Sequence, residues 1–362
     1  MQPQNKKKLR QEMSFIVGLI LFLIVFYVIS RSPHWVEHIY SHHLFPLMAI
    51  TGHFLWAWVP FSIGDLLYIL LGLLLLIQFY RGFKALFKRR YLLTLFTMLK
   101  TVRVLLCLLV LFYLFWGLNY FRLPLEQRMG LDLRMPEPCE LWEVTALCID
   151  KANTYRVSLE DTALRDDGVV FDRAAFLMTH NREMKPYLFS YRPLLKKPLT
   201  NFFGNYMMVS GYFNPFTQES QMNTAMPWFT KPFTACHELA HQAGIAFEDE
   251  ANLVGFILCV DSQDTLFRYS AYYNALFMLM REIYVHYPGR YAAFVNMISP
   301  AVKADMQREY QYWHRFAGPI NDAQTLFYDQ YLQLNNQPEG INRYNRMTKL
   351  LIAWRKNNAT RY

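Results

Sequence analysis

The chain has 362 residues, 53% of them hydrophobic and 17% aromatic, with a formal net charge of +9. The charge is lopsided: residues 1–118 carry twelve Lys/Arg against three Asp/Glu, whereas residues 119–362 carry twenty-five of each. The basic balance belongs to the first third alone. It therefore argues against a nucleic-acid partner and for a membrane part followed by one sizeable domain.

Three apolar stretches, 13–30, 61–80 with Asp65 near one end, and 102–118 with Arg103 at its entrance, read as transmembrane helices. At about 1.5 Å per residue each crosses most or all of a hydrocarbon core of about 30 Å. No small-residue cleavage site follows the first, so it reads as an anchor and not as a removed signal. Lys6, Lys7, Lys8 and Arg10 precede it, and seven Lys/Arg with no acid lie from Arg81 to Arg103. The loop between the first two spans holds Arg31 against Glu37. The positive-inside rule then puts the N-terminus and the second loop in the cytoplasm and everything after residue 118 outside it. The expected setting is the inner membrane of a bacterium, multi-pass, with a periplasmic or otherwise extracytoplasmic domain.

Residues 45–60 are apolar but short and interrupted by Gly52, which fits an interfacial or re-entrant piece with Trp56 and Trp58 at headgroup level. The histidines of this loop, at 34, 38, 42, 43 and 53, have no acidic residue at a matching helical spacing and read as interfacial polar groups. Cys139 and Cys148, nine apart in a helical stretch, are about 13 Å apart along the axis, too far for a disulfide. Cys236 and Cys259 can meet across two helices, and their pairing stays open.

Residues 119–362 read as one mainly α, α+β domain. Helices are expected over 137–160, 172–180, 266–286, 323–334 and 343–354, with the stretch 266–286 stopped by Tyr287-Pro288-Gly289. Residues 205–224, rich in Gly, Pro, Asn and aromatics, read as short strands and turns.

Within the domain, His237-Glu238-Leu239-Ala240-His241 spells H-E-x-x-H. Residues four apart share a helix face, so His237 and His241 can hold one ion, and Zn2+ suits neutral imidazole. Glu238 lies about 100° round the helix, beside the ion, where it can take a proton from water and pass it to a leaving amine. Pro232 fits the first turn of that helix and Gly244 its end. A third ligand is then offered by Glu248-Asp249-Glu250-Ala251-Asn252. Glu248 is favoured with Asn252 on the same face beside it, and Glu250 is the alternative, depending on where the second helix begins. Three acids opening a helix also suit its dipole, which is the purely structural account of the cluster.

HELAHQAG followed by EDEAN resembles the zincin metallopeptidases, especially the glutamate-liganded branch, over about forty residues. The resemblance implies a metal-dependent peptidase with Glu248 in the third-ligand role. The chain departs from that branch in having Asn252 where Asp is usual and a short spacing, six residues between His241 and Glu248. WGLNYFR (116–122), GYFNPFT (211–217) and PFTACHELAHQAG (232–244) resemble an uncharacterised bacterial membrane family over nearly the whole chain.

These readings converge on a zincin-like domain held to the bilayer by three spans, hydrolysing peptide or protein substrates of the envelope. Gly211, Tyr212 and Asn223 are the expected substrate edge, and Tyr212, His286 and Tyr344 the candidates for stabilising an oxyanion. Two other classes remain: a non-catalytic envelope scaffold with a structural metal, and a zinc amidase acting on cell-wall peptides. The oligomeric state is not legible.

Overall fold

The computed structural model describes residues 2–159, 166–189, 191–338 and 346–358. The protein is mostly helical. Helix α1 (Pro3–Ser30) leads through a turn, α2 (Pro33–Trp35), and a π-helical stretch (Val36–Leu44) into α3 (Phe45–Trp56). Helices α4 (Ile63–Phe87) and α5 (Tyr91–Phe115) follow. Among the described residues, α1, α4 and α5 are the three helices long and apolar enough to cross a membrane. Their surfaces expose Leu21, Phe22, Leu70, Leu76 and Leu105, a pattern that costs free energy in water and none in hydrocarbon.

The third span differs from the expected 102–118. It starts at Tyr91 and runs through Arg103, whose charge is paired with Glu12 of α1 at 2.9 Å. It stops at Phe115, where Trp116 leaves helical geometry, and residues 117–121 form a 3₁₀ turn with Leu118 and Tyr120 buried.

The rest of the chain forms α6 (Leu125–Met129), α7 (Pro138–Val157), α8 (Asp167–His180), β1 (Leu195–Lys196), α9 (Asn201–Tyr206), β2 (Gly211–Asn214) and β3 (Glu219–Met222). Helices α10 (Lys231–Gln242), α11 (Glu248–Val260), α12 (Thr265–His286), α13 (Pro288–Met297), α14 (Pro300–His314), α15 (Pro319–Leu334) and α16 (Arg346–Asn357) complete it. Four of these helices, the short α6 and α9 and the longer α13 and α14, were not expected. Pro288 does end α12, but it also occupies the first turn of the next helix, where its missing N–H costs nothing. Residue 160 and residues 343–345 of the expected helices lie outside the described residues.

At the centre is α11, whose thirteen residues are all buried. Leu253, Val254, Ile257 and Leu258 have no exposed surface, as expected for a helix apolar on every side once its acidic first turn is passed. It packs against α10, α12 and α16. The sheet has the order β1-β3-β2, with β1 parallel to β3 (Leu195 opposite Ser220) and β2 antiparallel to it (Gly211 opposite Met222). Strand β2 is thus an edge.

The membrane part and the domain share buried polar contacts. Arg122 donates from Nε and Nη2 to the two oxygens of Glu37, at 2.8 and 2.6 Å, and from Nη1 to the Gly244 carbonyl at 2.9 Å. Burial alone would raise the Glu37 pKa, but Arg122 and Arg128 outweigh it and hold the group down to about 2. Glu219 of β3 accepts from the Gly64 amide at 2.7 Å, capping α4, and pairs with Lys196 at 2.6 Å. Helix α3 lies on the β2–β3 hairpin so closely that a Cβ at Gly52 would meet Gln218 Cβ at 2.8 Å. The expectation of unpartnered histidines in this segment fails at one position. The π-helical turn brings residues five apart together, and His42 Nε2 sits 3.0 Å from Glu37 Oε1.

Candidate metal centre

Helix α10 carries the HExxH stretch. Pro232 occupies its first turn, and it ends in a Schellman motif: Gly244, at φ +88°, donates to His241 O at 3.0 Å while Ile245 N donates to Ala240 O at 3.1 Å. The chain then turns over three residues and enters α11 at Glu248, its first helical residue. The two helices cross at Gly255, where a Cβ would meet the His237 backbone nitrogen at 3.3 Å. The short connection and this close crossing carry the first residue of α11 to the imidazole face of α10.

His237, His241 and Glu248 each present one ligand atom, all within 4.8 Å of one another. His237 Nε2 is 3.1 Å from His241 Nε2 and 3.2 Å from Glu248 Oε2, and His241 Nε2 is 3.5 Å from Glu248 Oε1. Donors held about 2.0–2.1 Å from a tetrahedral ion lie about 3.3 Å apart, so the three side chains fit such an ion without rearrangement. His241 Nδ1 is 2.7 Å from the Ile245 carbonyl, which accepts a hydrogen bond from a protonated Nδ1 and so leaves the Nε2 lone pair facing the centre. Burial disfavours a charged imidazole, but Glu248 outweighs it and raises the His241 pKa to about 9. The same contact, against an opposing burial effect, holds Glu248 well below the carboxylate range. A proton on His241 or a metal ion are the two ways to neutralise this donor set, and they compete.

Glu238 is not one of the three converging side chains. Its carboxyl is buried, Oε2 has no hydrogen-bond partner among the described residues, and burial pushes its pKa up to about 7. Strand β2 runs against it: a Cβ on Gly211 would lie 2.5 Å from Glu238 Oε1. Ser220 of β3 fixes the strand to α10 by donating to the Glu238 backbone carbonyl at 2.7 Å.

The other expected residues divide. Glu250 turns away from the cluster and accepts from the Leu125 amide at 2.8 Å, capping α6. Asn252 is buried, but among the described residues no hydrogen bond links it to the cluster and its Nδ2 has no partner. Tyr212 donates to Asp65 of α4, so its hydroxyl is engaged at the end of a span. Asn223 spends its side chain on Asn205, Val209 and Ala225, which shapes the turn after β3. His286 ends α12 on an exposed face, 3.4 Å from Glu282. Tyr344 lies outside the described residues. All five cysteines are free; Cys236 and Cys259 are buried hydrogen-bond neighbours, and burial first, then Cys236, raises the Cys259 thiol well above its usual value.

Two residues at the centre were not foreseen. Tyr328 of α15 donates to Glu248 Oε1 at 2.6 Å, and Trp116, just past α5, donates from Nε1 to His241 O at 3.2 Å. Trp116 had a signal, since it opens the quoted WGLNYFR segment. Tyr328 is 80 residues from its partner and had none.

Residues 40–352 match a family described as "Protein of unknown function (DUF3810)". The chain belongs to this family. The matched region begins after the first span and includes the second and third spans and the whole centre, so these two spans and the domain fall within one family unit. No curated protein and no solved structure matches the chain.

Proposed function

We propose that this member of the DUF3810 family is a membrane-anchored metallopeptidase that holds zinc on His237, His241 and Glu248 and hydrolyses peptide bonds of envelope polypeptides. The observation that carries the reading is the convergence of those three donors with the buried carboxyl of Glu238 beside them. Zinc bound there would act as a Lewis acid on the scissile carbonyl and make water acidic enough to attack near neutral pH.

Glu238 accepts the proton of the attacking water and returns it to the leaving amine. A carboxyl whose pKa is raised to about 7 is suited to both halves of that transfer. Gly211 lets the β2 backbone approach Glu238, and the outer edge of β2 offers main-chain groups to an extended peptide. Tyr328 and the Ile245 carbonyl fix the orientation of Glu248 and His241. The loop charges support a cytoplasmic N-terminus and a centre outside the cytoplasm.

The test uses the full chain in detergent or liposomes. It should contain one zinc per chain and cleave peptides, and Glu238→Gln should lower cleavage by about 10²–10⁴ with zinc content and melting temperature unchanged. Zinc-loaded wild type that cuts nothing in a broad peptide library would favour a scaffold, and undiminished cleavage by Glu238→Gln would assign the base elsewhere.

A further inference from the structure

The centre lies at the domain-facing ends of two spans. Trp116 joins the end of α5 to His241, and its ring packs on Phe213 of β2 with centroids 5.4 Å apart. Asp65, in the first turn of α4, accepts from the Leu199 amide at 2.6 Å and from the Tyr212 hydroxyl. At this level the domain shows apolar side chains where a water-facing surface would carry charge. Trp58 after α3, Phe202 and Phe203 of α9, and Leu326, Phe327 and Leu334 of α15 are all 63–79% exposed. Residues 44–62 and 198–218 contain no Asp, Glu, Lys or Arg.

Each of these elements is tied to a span. Lys196, just before α9, donates to the Trp56 carbonyl at 2.7 Å, beside the entrance to α4. Leu199 binds Asp65 as described. On α15, Ile320, Phe327 and Leu334 recur every seven residues on one face, while Tyr328 and Leu332 turn into the domain. Tyr331, beside the apolar face, packs on Phe112 of α5 with centroids 6.3 Å apart. The exposed patches therefore continue the lipid-facing surface of the spans, and an amphipathic helix with aromatic anchors beside a span is the form that lies in a bilayer interface.

We propose that α3, α9 and α15 form an apolar collar immersed in the lipid interface around the three spans, so that the centre opens at the bilayer surface and acts on chains themselves anchored in that bilayer. The substrate half rests on the peptidase reading above; the collar half does not. Because α15 also supplies Tyr328, the same helix that touches lipid orients Glu248.

Two measurements on the full chain in liposomes separate these halves. Nitroxides are placed through Phe202→Cys, Phe327→Cys and, as a water-facing reference flanked by charged residues, Met135→Cys, each with Cys139→Ser to remove the exposed native thiol. Collar positions should collide more with oxygen than with a water-soluble nickel chelate, and position 135 the reverse. Nickel-accessible collar positions, or positions shielded from both reagents by a protein partner or second copy, overturn the collar. In the second measurement the zinc-loaded protein receives each peptide of the same broad library with and without a lipid chain. Tethering raises effective concentration by about 10²–10⁴, so the anchored form should be cut at least about tenfold faster, and Phe202→Asp should bring that ratio towards one. Equal rates overturn the substrate half while the peptidase reading stands. No cleavage of any peptide in either form removes the peptidase reading and the substrate half together, and the nitroxides still decide the collar.

Discussion

Replacing Gly211 by Ala tests whether the edge strand and the buried carboxyl of Glu238, the base of the proposed reaction, are built as one unit. The added carbon would lie 2.5 Å from Glu238 Oε1, 2.6 Å from Glu238 Cγ and 2.8 Å from the Gln221 carbonyl oxygen. Ordinary contact begins near 3.4 Å, so Glu238 Oε1 must withdraw by about 0.9 Å or β2 must lift away. A misplacement of about 1 Å at a reacting group can cost about 10²-fold in rate. Overpacking of this kind typically costs about 1–3 kcal/mol of stability. The expected result is therefore kcat/KM lowered about a hundredfold, zinc per chain unchanged, and a melting temperature lower by a few degrees. Steady-state cleavage, elemental analysis and thermal melting of one preparation supply all three. A wild-type rate in Gly211→Ala would refute the coupling of β2 to Glu238, and loss of zinc in parallel with activity would show that the carbon disturbs the ligands instead.

Glu248→Ala should abolish stoichiometric zinc, whereas Glu250→Ala should leave it and loosen the Leu125 cap; titration with a zinc chelator compares them, and a larger effect at Glu250 would overturn the ligand assignment. Glu37→Ala strands the buried guanidinium of Arg122 and should cost about 3–5 kcal/mol in denaturant unfolding, while a loss under 1 kcal/mol would mean water reaches the site. The Glu37 pKa is lowered in the fold, so its contribution should be complete above pH 4.5 and fade as pH falls towards about 2, read as a falling melting temperature that the Ala variant does not share. A reporter fused at the C-terminus should behave as extracytoplasmic and one fused near Lys88 as cytoplasmic; the reverse would cancel the sidedness and the envelope substrates with it.

Local chemistry was legible and tertiary partners were not. The meeting of His237 and His241 follows from a spacing of four on a helix, and the approach of Glu248 from a glycine-ended helix and a short turn. Both are properties of neighbouring residues. Tyr328 and Arg122 reach the region from distant segments with no periodic signature, so only the fold could bring them in. Two departures have local causes that the charge and breaker rules hide. Arg103 looked like the edge of a span because Glu12, its partner, is on another helix, and Pro288 looked like a stop although it also starts α13. The contact of His42 with Glu37 needed a π-helical turn, a spacing a 3.6-residue reading does not test.

The shared Glu37–Arg122 pair has a consequence for how this protein can leave the membrane. Many surface enzymes are shed by a cut in the stalk between anchor and domain, and the freed part keeps its shape. Here a domain that departed after a cut behind α5 would have to leave Glu37 behind as the partner of Arg122, the Trp56 carbonyl as that of Lys196, and Asp65 as that of Tyr212, opening its own interior. Loss of one buried ionic partner alone costs about 3–5 kcal/mol, against a total of about 5–15 kcal/mol for an ordinary domain. Cleavage at this boundary would end the life of the protein and would not release a soluble form of it.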